Sequence, residues 1–246
     1  PPSTIANKFR VIFSQEEEPW PAVGLFEQTQ NRLTGTFLTE TGDFRFLSGN
    51  IYGNELFLSC FDGSHAFVFT ATVNQDSLRG RFYSGSSYQT DWIGIADEKA
   101  SIKDPNKLTY IVDSVYNLNE IKLRTLCGLK TKLGLFKNSL TLIQITGSWC
   151  PNCLDETNYY KELFEKYNKM GLNIISIGFE YGRDSKQQRK KLKRFSKRAK
   201  LPYTVLLGGK ASKKDASNLF PMLNSISSFP TTLFVNKSGE IIHVHT

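Results

Sequence analysis

The sequence predicts an all-β domain, a small barrel or sandwich, over residues 1–100 and an α/β domain over residues 106–246. Short runs of alternating apolar and polar residues, with turn residues about every 8–12 positions, dominate the first part and are typical of antiparallel strands. In the second part, buried-strand patterns alternate with helical periodicity, which is typical of an α/β layer architecture. The polar segment 98–107 separates the two patterns, and we interpret it as a linker.

The best-defined strands of the first domain are predicted at residues 55–61, 65–73, 78–83 and 92–95. In the first of these, Leu56, Leu58 and Cys60 share one face, and Phe57 and Phe61 share the other. The fragment LTGTF at 33–37 is echoed by LRGRF at 78–82, each with a glycine inside a predicted strand, where glycine often marks a bend or bulge. Consecutive antiparallel strands with bends favour a small barrel or sandwich.

The second domain begins with a predicted hairpin, 121–126 with 129–133, around Cys127 and Gly128. The nearly continuous apolar run 139–146 is expected to be a strand covered on both sides. The following helix carries apolar residues at helical spacing and is predicted to stop at Gly171. The remaining elements are a strand, a basic helix, a strand, a short helix and two strands, at residues 172–179, 184–200, 203–207, 212–219, 231–236 and 240–244.

The formal net charge of +8 is unevenly distributed. Residues 1–105 hold 8 basic and 13 acidic side chains, whereas residues 106–246 hold 23 and 10, which also indicates two modules. Much of the positive charge lies between Lys186 and Lys200. A surface for an acidic or nucleic-acid partner is one interpretation. Because no aromatic stacking platform accompanies the bases, we favour the solvated face of an amphipathic helix and expect no nucleic-acid partner.

Cys150 and Cys153 form a Cys-Pro-Asn-Cys motif between a buried strand and the start of a helix. A helix N-terminus offers unpaired N–H groups and a partial positive charge, and both stabilise a thiolate. Cys150, at the helix tip, is expected to be exposed and to attack, whereas Cys153, one turn in, is expected to be shielded and to resolve the mixed disulfide. Pro151 at the first helical position costs no hydrogen bond.

A zinc site and a static disulfide are the alternatives for this pair. A structural zinc site needs four ligands, commonly two such pairs. Cys60 and Cys127 have no partner at that spacing, and the three histidines lie at no familiar ligand spacing, so we expect a redox pair and no metal. Cys60 is interpreted as a small buried apolar residue. Cys127 is left open, and the two cysteines could also form a disulfide or act as relay thiols.

The segment TGSWCPNCLDE at 146–156 resembles the active site of the TlpA/ResA-like branch of the thioredoxin superfamily, and SFPTTLFVNKSG at 228–239 is similar to its second conserved segment. The resemblance covers about residues 106–246. It implies a thioredoxin fold and thiol–disulfide oxidoreductase activity that reduces protein disulfides. It also implies that Pro230 is cis and lies against the sulfurs, and that the substrate docks on Trp149, Pro151, Phe229, Pro230 and Thr231.

Glu156 matches an acidic position that TlpA/ResA-like proteins often carry after the second cysteine. A carboxylate one turn from Cys153 could relay a proton during thiol exchange. An acidic residue is also favoured in the first turn of any helix, and both interpretations stay open. Gln144 stands where thioredoxins proper keep a buried Asp. Because a neutral amide cannot act as that base, a relay must use Glu156 or water.

The resemblance further implies no cofactor beyond the redox-active disulfide, protein thiols and disulfides as partners, and a membrane-linked electron donor. It implies an extracytoplasmic location, the bacterial periplasm, with anchoring through a segment outside this sequence. The family normally has one more helix after the last strand, which we expect to be missing from this sequence. The first domain resembles, weakly, the lipocalin-like barrels found ahead of some TlpA-like domains, and we expect its own aromatic side chains to fill it.

Two other functions remain as alternatives. In a binding protein, the β domain would recognise a ligand or partner and the redox pair would be subordinate. In a peroxiredoxin-like peroxidase, the reactive cysteine would follow the pattern Pro-x-x-x-Thr-x-x-Cys. Here Ile143 and Gly147 stand at the two matching positions before Cys150, so this alternative is disfavoured.

Overall fold

A computed structural model describes residues 1–14, 19–63, 65–104, 107–113, 116–134 and 139–246. Its contacts divide the chain into two compact units, Pro1–Asp104 and Pro105–Thr246. Residues 105–106, which fall within the predicted linker, lie outside the described residues. Within the described ranges, no helix combines the length and apolar character needed to cross a membrane.

The described residues of the first unit form nine antiparallel strands. They are β1 (Lys8–Ser14), β2 (Trp20–Thr29), β3 (Arg32–Thr39), β4 (Gly42–Asp43), β5 (Leu47–Tyr52), β6 (Glu55–Phe61), β7 (Ala66–Asn74), β8 (Ser77–Ser84) and β9 (Tyr88–Ala96). Apart from the two-residue β4, each strand pairs with its neighbours along the chain, and β1 pairs with β9. Eight strands therefore close into an up-and-down barrel, which removes the free sheet edges. This confirms the all-β prediction and selects the barrel.

Aromatic side chains fill the barrel, because inward positions alternate along each strand. Phe13, Phe37, Phe69 and Trp92 are fully buried, and the rings of Phe37 and Phe69 stack with centroids 4.6 Å apart. The predicted faces of β6 are confirmed, since Leu56 and Leu58 point inward whereas Phe57 and Phe61 are exposed.

The two echoed fragments lie in β3 and β8, and their glycines let strands approach closely. A Cβ atom on Gly35 would lie 2.0 Å from the Leu25 carbonyl oxygen, and one on Gly80 would lie 1.8 Å from that of Thr70. Neither backbone oxygen can move out of the way without disturbing the barrel. Glycine is therefore required at both bends.

The second unit is an α/β domain. Its strands are β10 (Lys122–Thr125), β11 (Lys130–Lys132), β12 (Leu140–Thr146), β13 (Leu172–Glu180), β14 (Thr204–Lys210), β15 (Thr231–Val235) and β16 (Ile241–His245). Its helices are α1 (Pro151–Tyr167), α2 (Ser185–Ala199) and α3 (Lys213–Leu219). Each element predicted from residue 121 onward has a counterpart here within a few residues.

These strands form one sheet in the order β11-β10-β14-β13-β12-β15-β16. Strands β12, β13 and β14 are parallel, β15 pairs antiparallel with β12, and β16 pairs antiparallel with β15 at the sheet edge. This arrangement confirms the thioredoxin fold. The parallel strands β12 and β13 are almost entirely buried, as expected for strands covered on both faces. Their carboxyl ends place residues 146–150 and 180 at one edge.

Helix boundaries follow the local chemistry. Gly171 adopts a left-handed φ of 97° after α1 and ends the helical segment, as predicted. Asp184 caps α2 by accepting a hydrogen bond from the backbone of Gln187. Leu192 and Phe195 form the buried face of α2, and the remaining faces carry its bases, which confirms the amphipathic interpretation.

Candidate redox site

Cys150 is the N-cap of α1, and this position aims its sulfur at the first turn of the helix. The backbone N–H of Cys153 donates a hydrogen bond of 3.2 Å to the Sγ of Cys150. Pro151 follows as the first helical residue, where its missing N–H leaves no gap in the helix. In this position the sulfur accepts a hydrogen bond from one of the N–H groups that a helix N-terminus leaves unpaired.

The prediction that Cys150 is exposed is wrong, since only 6% of its surface is accessible. Its side chain folds back over the first turn of the helix, and its thiol donates a 3.4 Å hydrogen bond to the carbonyl oxygen of Phe229. Two hydrogen bonds, one from the backbone N–H of Cys153 and one to the carbonyl oxygen of Phe229, therefore hold the Cys150 sulfur in a buried position. A substrate disulfide must therefore approach past the groups that surround this carbonyl.

Cys153 is fully buried, as predicted for the second cysteine of the pair. Burial raises the pKa of the Cys153 thiol well above its usual range, and the hydrogen bond with Cys150 acts in the same direction. The hydroxyl of Thr146 and the backbone N–H of Gly147 partly oppose this shift. The two thiols thus differ in environment: one caps a helix at the edge of the sheet, and the other lies inside the core.

The peptide bond between Phe229 and Pro230 is cis, which confirms the isomer that the family resemblance implies. Phe229 packs edge-on against Trp149, with ring centroids 5.4 Å apart. Trp149, Pro151 and Pro230 are each partly exposed. Trp149 and Pro151 flank Cys150 in the chain, and Pro230 follows the residue whose carbonyl oxygen meets its sulfur. Substrate contact by these three residues stays a prediction.

Thr231, which the resemblance places among the substrate contacts, has a completely buried side chain. Its hydroxyl donates a 2.9 Å hydrogen bond to the carbonyl oxygen of Ser228. A substrate contact by this residue would use its backbone, and that role stays a prediction.

A buried carboxylate, that of Glu180, holds the segment that precedes Cys150. It accepts a 2.8 Å hydrogen bond from the backbone N–H of Ser148 and a 2.7 Å bond from the Ser148 hydroxyl. The indole N–H of Trp149 donates a 2.9 Å bond to the carbonyl oxygen of Phe179. The end of β13 therefore fixes both residues that lead into the cysteine pair.

Sequence reasoning missed Glu180, because the predicted strand stopped at residue 179. A signal was present: an acidic residue directly follows a buried apolar strand at the carboxyl end of a parallel sheet, where binding and catalytic groups collect. Burial raises the pKa of the Glu180 carboxyl, and its two hydrogen bonds with Ser148 partly oppose the shift.

Gln144 belongs to a ladder of polar side chains on three adjacent strands. Its register neighbours are Ser176 in β13 and Thr232 in β15. Residues directly opposite one another in a sheet present their side chains on the same face. The Ser176 hydroxyl donates a 2.6 Å hydrogen bond to the amide oxygen of Gln144. This face of the sheet is therefore polar under α1, beside the cysteine pair.

Glu156 lies at the end of this ladder. The Gln144 amide nitrogen donates a 2.9 Å hydrogen bond to one carboxylate oxygen of Glu156, and the hydroxyls of Tyr160 and Thr232 lie 3.0 Å from the other. Burial raises the pKa of the Glu156 carboxyl, and these hydrogen bonds partly oppose the shift. Glu156 also raises the pKa of Tyr160, although burial is the larger cause. Sequence reasoning singled out Gln144 and Glu156 but missed Tyr160 and Thr232.

The other two cysteines lie elsewhere, and all four are thiols in this structure. Cys60 is half-buried against the barrel core. Cys127 is exposed in the β10–β11 turn, where a 3.3 Å hydrogen bond with Thr125 lowers the pKa of its thiol, helped by Lys193 and Arg189. In the described part of the chain, no three His, Cys, Asp and Glu side chains are grouped to hold a metal ion.

Comparison with known proteins identifies relatives of the second unit. Residues 118–246 match the Redoxin family, which is just over half of the chain. The Thiol-disulfide oxidoreductase ResA of Halalkalibacterium halodurans is 25% identical over 124 residues, covering 50% of this chain and 63% of the relative. The protein of the same name from Bacillus thuringiensis subsp. konkukian is 28% identical over 117 residues, covering 47% of this chain and 59% of the relative.

The chain thus spans about three fifths of the length of these curated relatives. A solved structure described as a thiol-disulfide oxidoreductase from Bacteroides fragilis NCTC 9343 aligns with a TM-score of 0.41 and 18% identity. That alignment covers 51% of this chain and 86% of the other.

Proposed function

Because this chain belongs to the Redoxin family, we propose that it is a thiol–disulfide oxidoreductase that reduces protein disulfides through Cys150 and Cys153. One observation carries the proposal. The Cys150 sulfur caps a helix and meets the carbonyl oxygen of Phe229 at 3.4 Å, next to cis-Pro230, while Cys153 lies buried one turn away. An attacking sulfur, a backbone against which a substrate can lie and a resolving thiol are the parts that disulfide exchange requires.

In the first step, the thiolate of Cys150 attacks one sulfur of a substrate disulfide. The substrate S–S bond breaks, a mixed disulfide forms with Cys150, and the departing substrate sulfur takes up a proton. In the second step, the thiolate of Cys153 attacks the Cys150 sulfur and releases the other substrate thiol. Two electrons have then passed from the protein to its substrate, and the pair is a disulfide.

The second step needs a base, because burial raises the pKa of the Cys153 thiol. Glu156 lies one helical turn beyond Cys153, and its own pKa is also raised by burial. A carboxylate with a raised pKa binds a proton more readily than an ordinary one, which suits it to accept the proton from Cys153. Gln144 cannot ionise, so its part is to orient Glu156. Glu180 positions Ser148 and takes no proton in this scheme, and the carbonyl oxygen of Phe179 positions Trp149.

Substrate docking on Trp149, Pro151 and the backbone of residues 229–231 completes the proposal. A membrane-linked dithiol donor re-reduces the pair, and the protein works outside the cytoplasm, in a bacterial periplasm. The family resemblance supports the donor and the location. The redox-active disulfide is the only redox group that the mechanism uses.

Trapping of the mixed disulfide tests the order of the two cysteines. Cys153→Ser is expected to accumulate a covalent complex with a disulfide-containing peptide, because the resolving thiol is gone. Cys150→Ser is expected to form none and to lose disulfide reduction, whereas Cys60→Ser is expected to behave as wild type. Mass spectrometry of the acid-quenched reaction measures the complex. Equal trapping by Cys150→Ser would contradict the assignment of Cys150 as the attacking cysteine. If Cys150→Ser lost disulfide reduction but kept the protein's biological activity, a binding role for the barrel would be favoured.

A further inference from the structure

A cavity of about 670 Å³ opens beside the sheet edge formed by β10 and β11, away from the cysteine pair. It is bordered by these two strands, the end of β14 and the first turn of α2. Its volume falls in the range of about 300–1,000 Å³ that is usual for small-molecule sites. Gly209 pairs with Phe179, so the cavity lies near the carboxyl ends of the parallel strands, where ligands of open α/β sheets commonly bind.

Four cations line this cavity: Lys122, Arg124, Lys130 and Lys132. No carboxylate is found among the described residues that line it. Leu207, which is opposite Arg124 in the sheet, adds an apolar surface to the wall. The cavity therefore offers a wall of positive charge to a ligand of the size it can hold.

The pairing of β10 with β11 sets these cations directly against one another. Lys122 is opposite Lys132, and Arg124 is opposite Lys130. Like charges directly opposite in an antiparallel pair destabilise the pairing. A four-residue strand paired with a three-residue strand has little other pairing with which to oppose this repulsion. The hairpin is therefore less stable than the same fold with neutral side chains at these positions.

Among the described residues, an acidic side chain offsets the repulsion in only one of these two cation pairs. Lys132 makes a 2.8 Å ion pair with Glu120, and that pair is exposed. Arg124 donates a 3.3 Å hydrogen bond to the carbonyl oxygen of Gly128, and over the described ranges neither Arg124 nor Lys130 makes an ion pair. Positions that break a local rule of stability without an evident gain are expected at functional sites.

We propose that this cavity is a binding site for a small molecule with two or more negative charges, on phosphate or carboxylate groups. Such an anion converts the repulsion between Arg124 and Lys130 into two charge-assisted hydrogen bonds to one ligand. The first turn of α2 also borders the cavity, where Ser185 and Gln188 add two neutral polar side chains to its wall. The site is separate from the cysteine pair and does not depend on the redox proposal.

Calorimetric titration of the full chain with inorganic pyrophosphate tests the site. Wild type is expected to bind one equivalent saturably. Arg124→Gln with Lys130→Gln is expected to weaken binding by about a hundredfold, because it removes two charge-assisted contacts that are each worth roughly a factor of ten in affinity. The matched control is Lys169→Gln with Lys237→Gln, which removes the same charge from exposed positions outside the cavity and is expected to bind as wild type.

Thermal unfolding supplies a second measurement that a purely structural role would not change in the same way. Without anion, the Arg124→Gln/Lys130→Gln variant is expected to unfold at the same temperature as wild type or higher, because the opposed charges are gone. With pyrophosphate, the unfolding temperature of wild type is expected to rise and that of the variant to stay constant.

Absence of saturable binding by wild type, or an equal loss in the control variant, would overturn the proposal. So would binding of a hexaglutamate peptide, with the same dependence on Arg124 and Lys130, if pyrophosphate does not bind. That last result would assign the cavity to an acidic segment of a protein instead of a small anion.

Discussion

The two units of this chain differ in what they bury. The barrel interior is aromatic, with Phe13, Phe37, Phe69 and Trp92 fully enclosed. Every buried polar or charged side chain identified in the described residues lies instead in the second unit. Those side chains are Thr109, Thr141, Gln144, Thr146, Thr157, Ser176, Glu180, Gln188, Ser228, Thr231 and Thr232.

This difference indicates that the buried polar groups, which cost folding free energy, collect in the unit that carries the cysteine pair. Burying a polar group costs free energy unless its hydrogen bonds are satisfied, so a polar core is retained only where its groups are held in place. Around Cys150 and Cys153 the groups are held: Glu156 by Gln144, Tyr160 and Thr232, and Glu180 by Ser148. Aromatic packing explains the barrel interior, although the same unit holds a partly buried cluster in which Asp62 pairs with Arg45 and contacts the His65 ring. The second unit requires both packing and electrostatics.

The largest expected effect that separates the units is on stability. Phe37→Ala should lower the free energy of unfolding by about 3–5 kcal/mol, because it removes a ring from the closely packed aromatic core. It should leave the rate of disulfide exchange per folded molecule unchanged. Urea unfolding followed by tryptophan fluorescence, with a peptide-reduction assay at low urea, measures both. A matching fall in the exchange rate would show that the barrel takes part in the chemistry.

The next effect concerns the segment before Cys150. Glu180→Ala leaves the backbone N–H and the hydroxyl of Ser148 without their acceptor, so we expect a loss of about 1–3 kcal/mol in stability and roughly tenfold slower exchange. Glu180→Gln should recover most of both, because its amide oxygen still accepts the backbone N–H. Glu165→Ala, on the exposed surface of α1, is the control. Full activity of Glu180→Ala would show that Glu180 does not position the segment before Cys150 for disulfide exchange.

A smaller effect is the pH dependence of stability. The pKa values of Glu156 and Glu180 are raised in the folded protein, so folding favours their protonated forms. Their contribution is complete below the ordinary glutamate pKa and is lost as the pH rises through the raised values. Glu156→Gln should therefore reduce the fall in unfolding free energy between pH 4.5 and pH 7.5, measured with urea. A steeper fall in the variant would contradict the burial argument.

The smallest effect is expected at the barrel surface. Arg10 pairs with Asp97 there and lowers the pKa of that carboxyl, the opposite direction from the buried glutamates. Because an exposed ion pair contributes little, Asp97→Asn should leave the urea midpoint at pH 7 within experimental error. A shift as large as that of Glu180→Ala would show that surface charge, and not the buried polar groups, controls stability.

The sequence predicted the parts of this molecule that depend on periodicity. The alternation of apolar and polar residues predicted strands β6 to β9 and the inward face of β6. The order of strand, cysteine motif and helix predicted that Cys150 lies at the start of α1. The strands before residue 55, apart from the fragment 33–37, were not predicted individually. Glycines such as Gly24, Gly35 and Gly49 interrupt their apolar pattern, and bends in the barrel require several of them.

The rest of the site depends on register, which a single sequence does not display. Gln144, Ser176 and Thr232 are far apart along the chain and meet only because β12, β13 and β15 align them. The burial of Cys150 was missed for a similar reason. The Phe229 carbonyl that covers its sulfur comes from a segment 79 residues away.

The reduction potential of the Cys150–Cys153 pair decides whether this protein acts by disulfide exchange and in which direction. The protein would be equilibrated in glutathione or dithiothreitol buffers, its free thiols alkylated, and the disulfide assigned by peptide mass. The account predicts one two-electron transition confined to Cys150 and Cys153, near the reducing value of thioredoxin at about −270 mV. A value near −120 mV would make the protein an oxidant, and failure of the pair to form a disulfide would contradict the redox function itself.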